Sequence, residues 1–200
     1  MSILSSLGQV ILASASPARL QVLREAGVDA ISMPTDADEH CLLTEAGAVV
    51  EELASRKMAA FRQAHPDCVG PVITCDTLIS FRGHLIGKPR DRQDAFEQLS
   101  AFSGQTHEVF SGYNLLINGQ VICGHDRAQV TFKTLSGKQI DDYLDSGEYI
   151  GAAGSYRIQG QASRFILSID GDTDTVIGIP MKKLEELVSG LRERSSAPQK

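Results

Sequence analysis

Two hundred residues, 42% of them hydrophobic and 22% charged, match one globular domain rather than two, because a second independent core would need more chain. With 19 Lys and Arg against 25 Asp and Glu, the formal net charge of −6 repels a polyanion and excludes a nucleic-acid polymer as the expected partner. Cys41, Cys68, Cys75 and Cys123 stand singly, which disfavours both a disulfide framework and a structural zinc, and no apolar stretch reaches the ~18 residues of a membrane span.

The first predicted element is a buried strand over residues 10–13, and Ala13-Ser14-Ala15 behind it only imitates a signal cleavage site, because the apolar run is short and no basic residue precedes Arg19. A soluble cytoplasmic protein is therefore expected. Leu20, Leu23 and Ala26 on one face predict a helix over 17–26, ended by Gly27. A strand over 28–33, a long helix over 44–64, a strand over 71–81 and a helix over 91–102 continue the alternation of α/β folds. Segments 106–117 and 120–135 flank Asn118-Gly119, the pair best suited to positive φ at both centres of a type I′ turn, and predict a long hairpin. A short helix over 136–146, a strand over 164–169 and a terminal helix over 180–193 follow, and residues 195–200 are expected to fray.

An antiparallel hairpin inside αβ alternation predicts an α/β domain over 1–200 with a mixed twisted sheet. A doubly wound dinucleotide-binding domain is not expected. Gly151, Gly154 and Gly160 lack the Gly-x-Gly-x-x-Gly spacing.

Several residues break local rules. Ser16-Pro17 is a good helix start, but Arg19 then stands at the third helical position, where the helix dipole disfavours a cation by about 0.3–1 kcal/mol. Either Arg19 points into water, or it shares an anionic ligand with the free amides and the hydroxyls of Ser14 and Ser16. Lys57 lies four residues from both Leu53 and Phe61, inside an apolar stripe, so it either snorkels to solvent or reaches a ligand pocket at the core's edge.

Asp76 ends the run Val72-Ile73-Thr74-Cys75, near the kind of strand end where α/β ligands collect. Alternation would also set Thr74, Asp76 and Ser80 on one polar, solvated face. Asp36-Ala37-Asp38-Glu39 is a carboxylate cluster able to hold a divalent cation or to be only an acidic loop. Gly87-Lys88-Pro89 fails the phosphate-loop pattern, and no nucleophile elbow or zinc-protease helix occurs, so serine and cysteine nucleophiles have no support.

Taken in order, Leu12 through Arg19, Asp36 through Glu39, Leu53 through Lys57, Asp76-Thr77, Gly87-Lys88-Pro89, Leu99 through His107, Ile158-Gln159-Gly160 and Val176 through Pro180 resemble the Maf family of nucleotide pyrophosphatases. The resemblance implies a fold similar to that of inosine-triphosphate pyrophosphatases, a homodimer, and Mg²⁺- or Mn²⁺-dependent hydrolysis of a nucleoside triphosphate to monophosphate and pyrophosphate. It implies Arg19, Lys57 and Lys88 on the phosphates, supported by Ser14 and Ser16, with Glu39 and Asp76 on the metal and Asp76 also the base for the attacking water. Thr77 and Gln159 resemble the branch acting on dTTP and UTP, where an amide can match a pyrimidine edge. Two departures point toward relaxed base preference, modified nucleotides or a catalytically weak nucleotide-binding regulator of septum formation. Ala18 stands where that branch has a further arginine, and Gly151-Ala152-Ala153-Gly154 where the family often has Asp-Lys-Ala-Gly.

Overall fold

The structure, a computed structural model, describes residues 2–196. A 3₁₀ turn at Ile3–Leu7 leads into β1 (Val10–Leu12), α1 (Pro17–Glu25), β2 (Ala30–Ser32), α2 (Ala46–Ala64), β3 (Val72–Phe81), β4 (His84–Ile86) and α3 (Arg92–Phe102). Then come β5 (Thr106–Ile117), β6 (Gln120–Phe132), α4 (Gly137–Leu144), β7 (Ile166–Asp170), α5 (Thr173–Ile177) and α6 (Met181–Ser196). Every expected helix and strand is present, with ends shifted by local chemistry. The long helix starts at Ala46 rather than at Thr44 because the Glu45 carboxylate caps the amides of Gly47 and Ala48 at 3.1 and 2.7 Å. The 164–169 strand starts late because Gln161–Phe165 is wound as a 3₁₀ turn.

Asn118 and Gly119 take φ of 50° and 76°, the values that let β5 and β6 pair from Ile117↔Gln120 to Thr106↔Thr131. One sheet of seven strands results, in the order β2-β1-β3-β5-β6-β7, with β4 also on β3. β1 is parallel to β2 and β3, and the other pairs are antiparallel. The mixed sheet with its long hairpin is the architecture the sequence predicts. β4 and α5 were not foreseeable from periodicity, since three and five residues are too few to show a repeat. The terminal helix runs through Ser196, and residues 197–200 of the expected frayed tail lie outside the described residues. No described helix is long and apolar enough to cross a membrane.

Side chains of β3 alternate between two covered faces. Ile73 and Cys75 pack with Val22 and Leu23 of α1 and Leu184 and Val188 of α6, and Ile79 and Phe81 with Leu99 and Phe102 of α3. On the other face Leu78 packs with Val50 and Leu53 of α2, and the Thr74 hydroxyl donates to the Ala54 carbonyl at 2.8 Å. The solvated face considered for Thr74 and Asp76 is therefore corrected: α2 covers it. Gly112 of β5 makes that close seat possible, because a Cβ there would lie 2.2 Å from the Val50 carbonyl oxygen.

β5 occupies one whole edge of β3, from Val72 to Ser80. On the opposite edge β1 pairs only with Val72 and Ile73, and β4 only with Ile79 to Phe81. Residues 74–78 on that edge face no strand, and the functional residues gather at this gap.

Candidate active site

The gap opens into a cavity of about 440 Å³ lined by Ser14, Ser16, Arg19, Glu39, Lys57, Asp76, Thr77, Lys88 and Gln159. These residues come from the β1–α1 turn, α1, the 33–45 loop, α2, β3, the loop after β4 and the segment before Gln161–Phe165, so only folding brings them together. Asp76 and Thr77 are neighbours on β3 and point to opposite faces of the sheet. Asp76 turns toward α2 and Thr77 toward α1.

On the α2 side, Lys57 Nζ donates to Asp76 Oδ1 and pairs with Glu39 Oε1 at 3.1 Å. The Lys57 side chain is 14% exposed and that of Asp76 12%. Snorkelling is ruled out, since the ammonium turns inward to the carboxylates. Glu39 also reaches Lys88 Nζ at 3.6 Å through its other oxygen. Burial raises the affinity of the Glu39 carboxyl for its proton, but the charges and hydrogen bonds of Lys57 and Lys88 outweigh it and hold the group below the usual carboxylate range. The acidic cluster divides: Asp36 and Glu39 line the cavity, whereas Asp38 lies 4.0 Å from Arg56.

On the α1 side, Arg19 does not point into water. Its Nη1 donates to Ser14 Oγ at 3.1 Å and to the Cys75 carbonyl at 2.9 Å, and its Nη2 donates to Thr77 Oγ1 at 2.9 Å. The Cys75 carbonyl is free for this because no strand pairs with the β3 edge there. Nε is buried with no partner. Gly178, at φ 109°, closes over the pair: a Cβ there would stand 2.7 Å from Thr77 Oγ1 and 2.9 Å from Arg19 Nε. Ser14 Oγ accepts from both Ser16 N–H, at 3.2 Å, and Arg19. With both lone pairs engaged, the Ser14 hydroxyl hydrogen is what remains to offer a ligand.

Burial pushes the Cys75 thiol up to about 11, which keeps it protonated. Burial pushes His107 down to about 4, so the ring that bonds Tyr156 Oη at 2.8 Å puts no charge behind the cavity wall. Thr35, Tyr156 and Arg157 also line the cavity without having been singled out from the sequence. Arg157 is braced by the carbonyls of Glu148 and Ile150 at 2.9 and 2.8 Å; it sits in no pattern that spacing reveals. Ala18 and Ala152 line the cavity as well.

Among the described residues no group of three His, Cys, Asp or Glu side chains could hold a metal ion. Glu39 and Asp76 nonetheless converge on one cation position, that of Lys57 Nζ. Such a pair fits Mg²⁺ or Mn²⁺, which bind through one or two carboxylates and complete their shell with water and substrate phosphate oxygens.

The family described as Maf-like protein matches residues 9–191. A dTTP/UTP pyrophosphatase of Latilactobacillus sakei is 41% identical over 179 residues, covering 89% of this chain and 98% of that protein. A dTTP/UTP pyrophosphatase of Desulforamulus reducens is 40% identical over 182 residues, covering 88% and 93%. Among solved structures, that of the Staphylococcus aureus Ham1 protein covers 94% of this chain and 100% of its own at 10% identity, with a TM-score of 0.49.

Proposed function

The chain belongs to the Maf family, and from that premise we propose that it hydrolyses nucleoside triphosphates to the monophosphate and pyrophosphate, preferring the pyrimidines dTTP and UTP. The observation that carries this reading is the convergence of Arg19, Lys57 and Lys88 with Glu39 and Asp76 on one cavity. A triphosphate brings several negative charges into a small volume, and opening its α–β anhydride requires neutralised oxygens, a positioned water and a proton acceptor. Lys57 and Lys88 neutralise the phosphates, Arg19 adds fixed positive charge, and the Ser14 hydroxyl donates to a phosphate oxygen. Ser16 caps α1, whose N-terminal amides favour an anion. Asp76 Oδ1 meets the cation, Lys57 Nζ in this structure, which a divalent ion would displace toward the phosphates, and Asp76 Oδ2 is the oxygen left to take the proton of the attacking water. Glu39 and Asp76 would hold Mg²⁺ or Mn²⁺, which when bound polarises phosphoryl oxygens and acidifies water. Thr77 and Gln159 meet the nucleoside. A cytoplasmic homodimer completes the proposal, and the four free cysteines suit a reducing compartment.

Incubation of a panel of ordinary and modified triphosphates with Mg²⁺ or Mn²⁺ is expected to yield monophosphate and pyrophosphate on chromatography. Diphosphate and orthophosphate would overturn the reaction class. Chelation of divalent ions is expected to stop turnover and readdition to restore it; unchanged turnover in chelator would remove the metal from the scheme. Calorimetric binding of a triphosphate without product release would favour the catalytically weak regulator.

Lys57→Ala is expected to raise KM for the triphosphate by about tenfold or more, as loss of a desolvated charge partner of phosphate costs at least ~1.4 kcal/mol. Steady-state kinetics beside thermal melts checks it. Unchanged KM in a folded variant would leave Lys57 only the role of neutralising Asp76.

A further inference from the structure

Ser111 lies on β5 directly opposite Thr77 of β3, is fully buried at 0% exposure, and does not line the cavity. Its hydroxyl bonds the Thr175 carbonyl at 2.7 Å, and a carbonyl can only accept, so the single Ser111 hydrogen is spent there. The Ser111–Thr77 contact, 2.9 Å between hydroxyl oxygens, must then run from Thr77 to Ser111. At the other end Arg19 Nη2, which can only donate, reaches Thr77 Oγ1 at 2.9 Å. Both ends thus force one direction along the chain: Arg19 to Thr77, Thr77 to Ser111, Ser111 to Thr175. The far end is anchored, since the Thr175 hydroxyl donates to Asp126 Oδ2 at 2.6 Å.

The consequence is chemical. A threonine hydroxyl ordinarily rotates to donate or accept as its ligand requires, but this one has no hydrogen left to give. We infer that Ser111 is a specificity-determining positioning residue: by consuming the Thr77 hydrogen it leaves Thr77 able to meet the base only as an acceptor. Uracil and thymine carry a donor, N3–H, where cytosine carries an acceptor, N3. An acceptor-only Thr77 therefore favours the first pair and leaves cytosine with two lone pairs face to face, a mismatch that polar sites reject strongly. The inference rests on the reading that the site takes pyrimidine triphosphates and that Thr77 faces N3 of the base, not the 4-position, where the cytosine amino group would donate to it.

The test measures kcat/KM for UTP and for CTP with the full chain, as wild type, Ser111→Ala, Thr77→Val and the double variant. Ser111→Ala frees the Thr77 hydrogen to rotate and leaves the Thr175 carbonyl its bond from the Gly178 amide at 3.2 Å, so the fold is expected to hold. The UTP:CTP ratio is expected to fall about tenfold or more in Ser111→Ala, and to be insensitive to Ser111 once Thr77 is valine. A folded Ser111→Ala protein with the wild-type ratio overturns the inference, as does an equal drop in the Thr77→Val background, which would place the action of Ser111 elsewhere. Should Ser111→Ala fail to fold, Ser111→Cys, nearly isosteric and a poor acceptor, is read by the same criteria. A wild-type enzyme that turns over UTP and CTP alike overturns the inference and leaves the pyrimidine reading standing; one that turns over purine triphosphates in preference to UTP and CTP refutes the pyrimidine reading itself.

Discussion

Asp76→Asn is expected to lower kcat by about 10²–10⁴-fold, the range contributed by a positioned general base, while the protein remains folded. The amide keeps the shape of the carboxyl and its oxygen still accepts from Lys57, whose ammonium retains Glu39 at 3.1 Å. What is lost is the ability to take a proton and the negative charge beside the cation position. The two roles separate on metal titration. If Asp76 acts chiefly as a ligand, raised Mn²⁺ restores much of the lost turnover; if it acts chiefly as base, saturating metal leaves the defect in place. Turnover near the wild-type value in a folded Asp76→Asn protein would remove Asp76 from both roles.

The largest expected effect on stability lies outside the cavity. Gly112→Ala should destabilise the protein by about 3 kcal/mol, the upper range for overpacking, which for a chain of this size lowers Tm by about 6–12 °C. The obstacle is backbone: an added Cβ meets the Val50 carbonyl oxygen at 2.2 Å, its carbon at 2.3 Å and the Glu51 nitrogen at 2.8 Å. No side chain can swing aside, so α2 must lift from the sheet. Because α2 carries Lys57 to Asp76, the register partner of Gly112, any folded fraction is expected to show a raised KM as well. Gly70→Ala is the control, since nothing lies within 4 Å of a Cβ there and its φ is not positive. A Gly112→Ala melt matching that control would show that α2 is not held by this contact.

Residue type and spacing announced a good part of this site. Arg19 at the third helical position, Lys57 in an apolar stripe and Asp76 at the end of an apolar run each violated a local rule, and each now lines the same cavity. The rules broken were those of helix dipole, amphipathic pattern and strand burial, which act within a few residues and so are visible in one dimension. Asp38 carried the same kind of signal as Glu39 and turned to Arg56 instead, because a cluster of carboxylates does not say which member faces inward. Ser111 and Arg157 broke no rule: a serine in a strand and an arginine in a loop are ordinary until their partners are known.

Local sequence was enough for the alternation of helices and strands, the Asn118-Gly119 hairpin and the candidate charges, since periodicity, turn conformation and capping depend on neighbours along the chain. Only the tertiary structure decided that β1 stops at Ile73 of β3 and leaves residues 74–78 on that edge without a strand neighbour, that α2 lies against Gly112, and that the opposite faces of Asp76 and Thr77 meet α2 and α1. Those outcomes depend on which strands pair and how closely layers pack, interactions between residues 50 or more positions apart, such as Arg19 with Cys75 and Thr77, whose energies no local pattern encodes.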